Sequence, residues 1–165
     1  MNHTIIAKDR THLLDLIKAE INSNGNKCSL NHIDVSNVIN MNYLFKDSDF
    51  NGNISKWNTS NVKQMRYMFA RSKFNKDISN WDVSNVEDMW GLFSFSKFNG
   101  DLSNWQTYNL KSFNTMFEKA KVQIPYWAEF EDPVLRKKAI DSYILSKELG
   151  KELEDHEKIR KKIKL

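Results

Sequence analysis

Apolar residues return along most of this chain at intervals of 24, and the polar residues between them keep step. Trp57, Trp81 and Trp105 form one column, opened by Ile33; Val38, Val62, Val86 and Leu110 form another. Met41, Met65, Met89 and Phe113 follow, then Leu44, Met68, Leu92 and Met116, then Phe45, Phe69, Phe93 and Phe117. Phe50, Phe74 and Phe98 recur in the same phase, as do Leu30, Ile54, Ile78 and Leu102. A single unit would leave this surface in water, at about 25 cal/mol per Å² of apolar area. Stacked units bury it, so the register marks a solenoid.

Inside a unit the pattern predicts two kinds of element. From Val86 to Phe93 apolar residues step by three and four, which reads as one or two helical turns. Ser84 and Glu87 make a capping box ahead of it, and Ser36 and Ser60 offer the same cap without the acid. Asp77 to Val83 alternates and reads as a short parallel strand. The aligned Asn37, Asn61, Asn85 and Asn109 read as a ladder of buried amides that satisfies backbone groups at a turn.

The period fails at both ends, where an open stack needs caps. Residues 4–8 read as a strand. Asp9 caps a helix with Leu13, Leu14, Ile17 and Ile21 on one face, closed by the polar turn from Asn22 to Asn26. After Ala120, V-Q-I-P-Y-W reads as a last irregular unit with Trp127 two residues early. Asp132 and Pro133 then start a helix running to Gly150, with Leu135, Ile140, Tyr143 and Ile144 covering the open end. The expected organisation is a strand-helix cap at 1–25, repeats at 26–120, an irregular unit with a capping helix at 121–150 and a basic helical tail at 151–165.

Composition narrows the class. The mean hydropathy of −0.64 is that of a water-soluble chain. No stretch approaches the roughly 18 apolar residues of a membrane span, and no secretory signal stands at the start, so the expected compartment is the cytoplasm. The lone Cys28 permits no internal disulfide and fits a reducing compartment. The net charge of +4 is modest; its densest part is Lys158, Arg160, Lys161, Lys162 and Lys164. Isoleucines 159 and 163 give that run an apolar stripe, which suits phosphate, an acidic protein or anionic lipid.

The unit F-N-K-D-I-S-N-W-D-V-S-N-V-E-D-M-x-x-L-F, from Phe74 to Phe93, resembles the BspA-like leucine-rich repeats, also described as the mycoplasma-type domain of unknown function. The resemblance covers about residues 26–120. It implies an α/β solenoid, with leucine-rich-repeat-like parallel β-strands, short helical turns and helical caps at both ends. In that family such repeats bind proteins or surfaces, often outside the cell. Short members without an export signal look similar to proteins of bacteriophages and mobile elements. The expected function is therefore non-enzymatic protein binding, most concretely as a phage-encoded inhibitor of a host defence complex, such as an anti-CRISPR protein, in the host cytoplasm. The alternatives are nucleic-acid association through the basic tail and a surface adhesion role.

Catalytic signatures are sparse. His3, His12, His32 and His156 are scattered outside metal-ligand spacing, and no phosphate loop is present, so no cofactor or metal is expected. The candidate binding residues are those that break polar columns with large side chains: Tyr43, Arg66, Tyr67, Arg71, Trp90 and Phe95, with Lys73 and Lys97 as a basic edge. Tyr, Trp and Arg are enriched at binding hot spots. The partner expected for this face and the tail is a protein or ribonucleoprotein complex, with direct nucleic-acid contact through the tail and none with membrane.

Overall fold

The repeated D-x-S phrase bends the chain. Asp77 Oδ1 accepts the Ser79 N–H at 2.9 Å, and Asp82 Oδ1 accepts the Ser84 N–H at 2.9 Å. The same bond recurs at Asp34–Ser36, Asn53–Ser55, Asn58–Ser60 and Asp101–Ser103. An amide held by its own neighbour's side chain is withdrawn from any strand ladder. The segment from Asp77 to Val83 is therefore a pair of turns and not the expected parallel strand.

These bonds favour the ionised carboxyls. The Ser79 amide holds Asp77 below the usual aspartate range, and the Ser103 hydroxyl and amide do the same for Asp101. A group whose pKa is depressed by folding contributes stability above its unfolded pKa, and that contribution is lost as pH falls through the folded value. Urea midpoints should thus decline from about pH 4 downward, and Asp77→Asn with Asp101→Asn should flatten that acid limb. An unchanged slope in the double variant would show that these turns do not set it.

The expected helical turns are also replaced. Tyr67 and Gly91 adopt φ of 50° and 60°, as do Tyr43 and Thr115 in the same column at 64° and 55°. A left-handed residue cannot continue a right-handed helix. Every second amide here points to the next 24-residue unit: Met65 to Asp88 O at 2.8 Å, Tyr67 to Trp90 O at 2.9 Å and Phe69 to Leu92 O at 2.9 Å. The amides between them close short turns, such as Met68 to Met65 O and Ala70 to Tyr67 O. Nor does the capping box form. The Ser84 hydroxyl bonds Asp82, while Glu87 pairs with Lys111 Nζ at 2.6 Å.

The α/β solenoid of leucine-rich-repeat type is thus overturned. The computed structural model describes residues 4–163, apart from the side chains at positions 153 and 155–163. It is a small domain with two helices, one 3-10 turn and one open two-stranded sheet. Strand β1 (Ile5–Ile6) pairs in parallel with β2 (Ile33–Asp34), Ile5 opposite Ile33. Helix α1 (Arg10–Asn24) lies between them in sequence; α2 (Pro133–Ile163) follows the 3-10 turn Tyr126–Glu129. Between β2 and that turn stand only turns and isolated parallel bridges, such as Asn40 with Gln64 and Gln64 with Asp88.

The apolar columns do face inward. Trp81 stacks on Trp57 with centroids 6.2 Å apart, and Phe69 lies 5.6 Å from both Phe45 and Phe93. Each buried indole N–H also needs an acceptor. Trp57 donates to Leu30 O, Trp81 to Ile54 O and Trp105 to Ile78 O, at 2.9 to 3.1 Å. Trp127, two residues early in sequence, makes the same bond to Leu102 O at 3.0 Å. The asparagine ladder runs from Asn61, Asn85 and Asn109 side chains to Ser36, Ser60 and Ser84 carbonyls, each at 2.8 Å. Those asparagines are exposed, not buried.

At the first end, Asp9 caps α1 through the His12 N–H, Gly25 closes it at φ 76°, and Leu13 and Ile17 enter the core. At the other, Asp132 Oδ1 accepts the Val134 and Leu135 amides, and Ile140 is fully buried. Leu135 is half exposed, contrary to expectation; the buried residue beside it is Arg136. Helix α2 also passes Gly150 without a break. Among the described residues no helix is long and apolar enough to cross a membrane.

Candidate functional site

The left-handed positions build a face. A positive φ at a non-glycine residue is uncommon, yet Tyr43, Asp47, Tyr67, Arg71, Phe95, Thr115 and Lys119 all adopt it. They occupy two columns, four residues apart, on the same side of successive units. Tyr43 and Tyr67 stack at 5.6 Å. The Tyr67 ring in turn covers Gly91, where a Cβ would stand 2.3 Å from a ring carbon. Gly91 is thus the position that admits this ring.

Each aromatic group of the face carries a cation. Lys46 Nζ stands 5.6 Å from the Tyr43 centroid and 5.9 Å from that of Tyr67. The Arg66 guanidinium lies 5.5 Å from Trp90, and Lys119 Nζ 4.9 Å from Phe95. Arg66 Nε also lies 3.3 Å from Asp88 Oδ2, an ion pair without hydrogen-bond alignment, and Arg71 pairs with Asp47 at 3.4 Å. Tyr67, Arg71, Trp90 and Phe95 line one open groove of about 540 Å³, with Lys46 and Glu118 at its sides. Phe95 remains 47% exposed and Tyr43 43%, so the face keeps aromatic area in water.

Of the residues singled out by sequence, Tyr67, Arg71, Trp90 and Phe95 meet at the groove, with Arg66 against Trp90 and Tyr43 against Tyr67. Lys73 and Lys97 are exposed but do not line it; Lys73 instead pairs with Asp49 at 2.9 Å. The side chains of Lys158, Arg160, Lys161 and Lys162 lie outside the described residues, as does Lys164 altogether. His3 and the His156 side chain fall outside them too. Lys46, Lys119 and Glu118 were missed. Lys46 and Glu118 share a column with Ala70 and Ser94, and Lys119 one with Asp47, Arg71 and Phe95, so no residue type recurs to mark them; only the lone Gly91 beneath a tyrosine column hinted at a ring lying across units.

Other polar groups have local explanations. Burial and the nearby Glu20 push the Cys28 thiol up, which disfavours the nucleophilic thiolate. His32 Nε2 meets Glu20 at 3.2 Å. A second cleft of about 530 Å³ lies where α2 meets the body, beside Lys147, which donates to Asn104 Oδ1 at 2.7 Å. Burial and the neighbouring Tyr143 and Tyr108 push the Tyr126 phenol up to about 12.

Residues 15–127 match the family described as Mycoplasma protein of unknown function, DUF285. The chain belongs to that family. No curated protein and no solved structure matches it. The DUF285 match corrects the assignment to BspA-like leucine-rich repeats, since the segment it spans contains turns and isolated bridges where strand-helix repeats were expected. The roles built on that architecture fall with it: the protein-binding solenoid, the phage-encoded anti-CRISPR inhibitor and the adhesion-type repeat. The nucleic-acid alternative rested on tail side chains that lie outside the described residues.

Proposed function

We propose that the groove face of this domain docks a protein partner in the cytoplasm, and that it acts by binding rather than by catalysis. The observation that supports this reading is the gathering of Tyr67, Arg71, Trp90 and Phe95 around one open groove. Tyr67 is held by stacking on Tyr43 and by left-handed backbone, Phe95 by left-handed backbone, and Trp90 by the Arg66 guanidinium over its ring, so little freedom is lost on contact. Large, fixed aromatic surface with directed cations is the composition of an interface hot spot. The lone thiol of Cys28 fits the reducing compartment.

The test compares proteins captured from source cells by the unaltered chain, by Trp90→Ala, by Phe95→Ala and by a chain lacking residues 158–165. Each substitution should weaken capture of the specific partner by at least about tenfold, or 1.4 kcal/mol. Circular dichroism should stay nearly unchanged, because Phe95 is exposed and Trp90 is half-buried outside the core columns. Tail removal should retain the partner. Capture that survives both substitutions and disappears with the tail would end this reading.

A further inference from the structure

Four columns of bonds between units run one way, toward the later unit, while the amides of Lys63, Glu87 and Lys111 donate backward to Ile39, Lys63 and Glu87 carbonyls. Met41 donates to Gln64 O, whose peptide group carries the Met65 N–H; Met65 donates to Asp88 O, and Met89 to Ser112 O. Three parallel chains start at Tyr43, Phe45 and Asp47 and end on the carbonyls of Asn114, Met116 and Glu118. All these bonds measure 2.7 to 3.0 Å. Peptide dipoles in an ordinary sheet alternate and nearly cancel. Within these four columns they align, with the amide end positive.

The chains stop at Phe113, Thr115, Phe117 and Lys119, whose N–H groups find no partner among the described residues. The carbonyls of Phe113, Thr115 and Phe117 are already taken by the amides of Met116, Glu118 and Ala120. This edge therefore offers donors without acceptors. An extended strand presents both, and its own amides would face these amides unpaired. A row of carboxylates fits better, since it supplies acceptors alone and meets the positive end of the dipoles. The edge borders a groove of about 680 Å³ that shares Thr115 and Glu118 with the aromatic groove. Lys119 Nζ lies 4.9 Å from the ring of Phe95, which lines the aromatic groove.

We propose that this edge is an acceptor-seeking extension of the aromatic face, and that the segment docked there is acidic, with carboxylates on the amides of residues 113–119 and aromatic contacts in the groove. This rests on the protein-docking reading and names the chemistry of the partner.

The probes are an octapeptide alternating glutamate with tyrosine, its glutamine counterpart and an octathymidylate. The glutamate peptide should bind at least about tenfold more tightly than the glutamine one. It should shift the amide resonances of Phe113, Thr115, Phe117 and Lys119, and Lys119→Glu should erase the preference. Equal binding of both peptides, with shifts at Trp90 and Tyr67 only, would overturn the acidic edge and leave the docking face standing. Binding of octathymidylate in place of the peptide would overturn it in favour of nucleic acid, and binding of none would overturn it outright. Hydrogen exchange checks the premise without a ligand. The four edge amides should exchange at least about tenfold faster than those of Met89, Gly91, Phe93 and Phe95, and equal protection would remove the donor row.

Discussion

Trp81→Ala should lower the unfolding free energy by about 3–5 kcal/mol. The side chain is 3% exposed, stacks on Trp57 and meets the Phe69 ring at 6.1 Å. Its removal opens a cavity in the middle of the stack, between units that cannot close without breaking their bonds to each other. It also strips the Ile54 carbonyl of its indole donor. A domain of this size holds roughly 5–15 kcal/mol in total, so the variant should be partly unfolded at physiological temperature. Trp81→Phe separates the two terms. It keeps most of the apolar area, so the lost bond and a smaller cavity should together cost about 1–3 kcal/mol. Urea titration followed by far-ultraviolet circular dichroism reads both. A Trp81→Ala midpoint equal to that of the unaltered chain would show that the indole column does not hold the stack.

The columns of Trp, Val, Met and Phe were legible because burial imposes the same demand on every unit. Trp57, Trp81 and Trp105 needed only their spacing to be placed inward, and even Trp127 returned to the column despite its early position. The backbone between these anchors was not legible. From Val86 to Phe93 the three-and-four spacing suits a helix, yet it suits equally a run of turns with inward residues at the same steps. What decides between them is the sign of φ at positions such as Tyr67 and Phe95, and tyrosine and phenylalanine carry no preference for the left-handed region. Where glycine stood, at Gly91, the signal was present but single.

The alternation at Asp77 to Val83 misled for a related reason. Period-two spacing holds only for Trp81 and Val83; Ile78 is buried too, an odd number of residues from both, which paired turns allow and a strand does not. Asp77 and Asp82 each stand two residues before a serine, the arrangement by which a side chain captures a backbone amide. Given weight, that would have argued against a strand. At the candidate site, the sequence marked Trp90 and Phe95 as misfits in polar columns, and they share a groove. It did not mark Lys46 or Lys119, because their place over the rings depends on the direction in which left-handed residues throw their neighbours.

Arg136 shows the same limit in a single residue, and its loss is the second large effect expected. Sequence assigned the cover of the open end to Leu135, yet Leu135 is exposed and Arg136 is 1% exposed. The guanidinium donates to the Leu110 carbonyl and, at 3.0 Å, to that of Phe130, with the Phe113 ring 5.1 Å away. It therefore ties α2 to the last member of the valine column, Leu110, and to the end of the 3-10 turn. Burial pulls its pKa below the usual arginine value, and Asp132 works against that. Arg136→Leu preserves most of the packing and leaves two backbone acceptors without charged donors, so about 3 kcal/mol should be lost. Arg136→Lys should restore little of it, since a point charge cannot serve both carbonyls as a planar fork does. Thermal melting reads the loss, and amide exchange places it, with protection falling first at Ile140 and its neighbours in α2. Melting of Arg136→Leu at the unaltered temperature would mean that water satisfies both carbonyls and that α2 is held by its other contacts, Ile140, Ile144 and the Lys147–Asn104 bond among them.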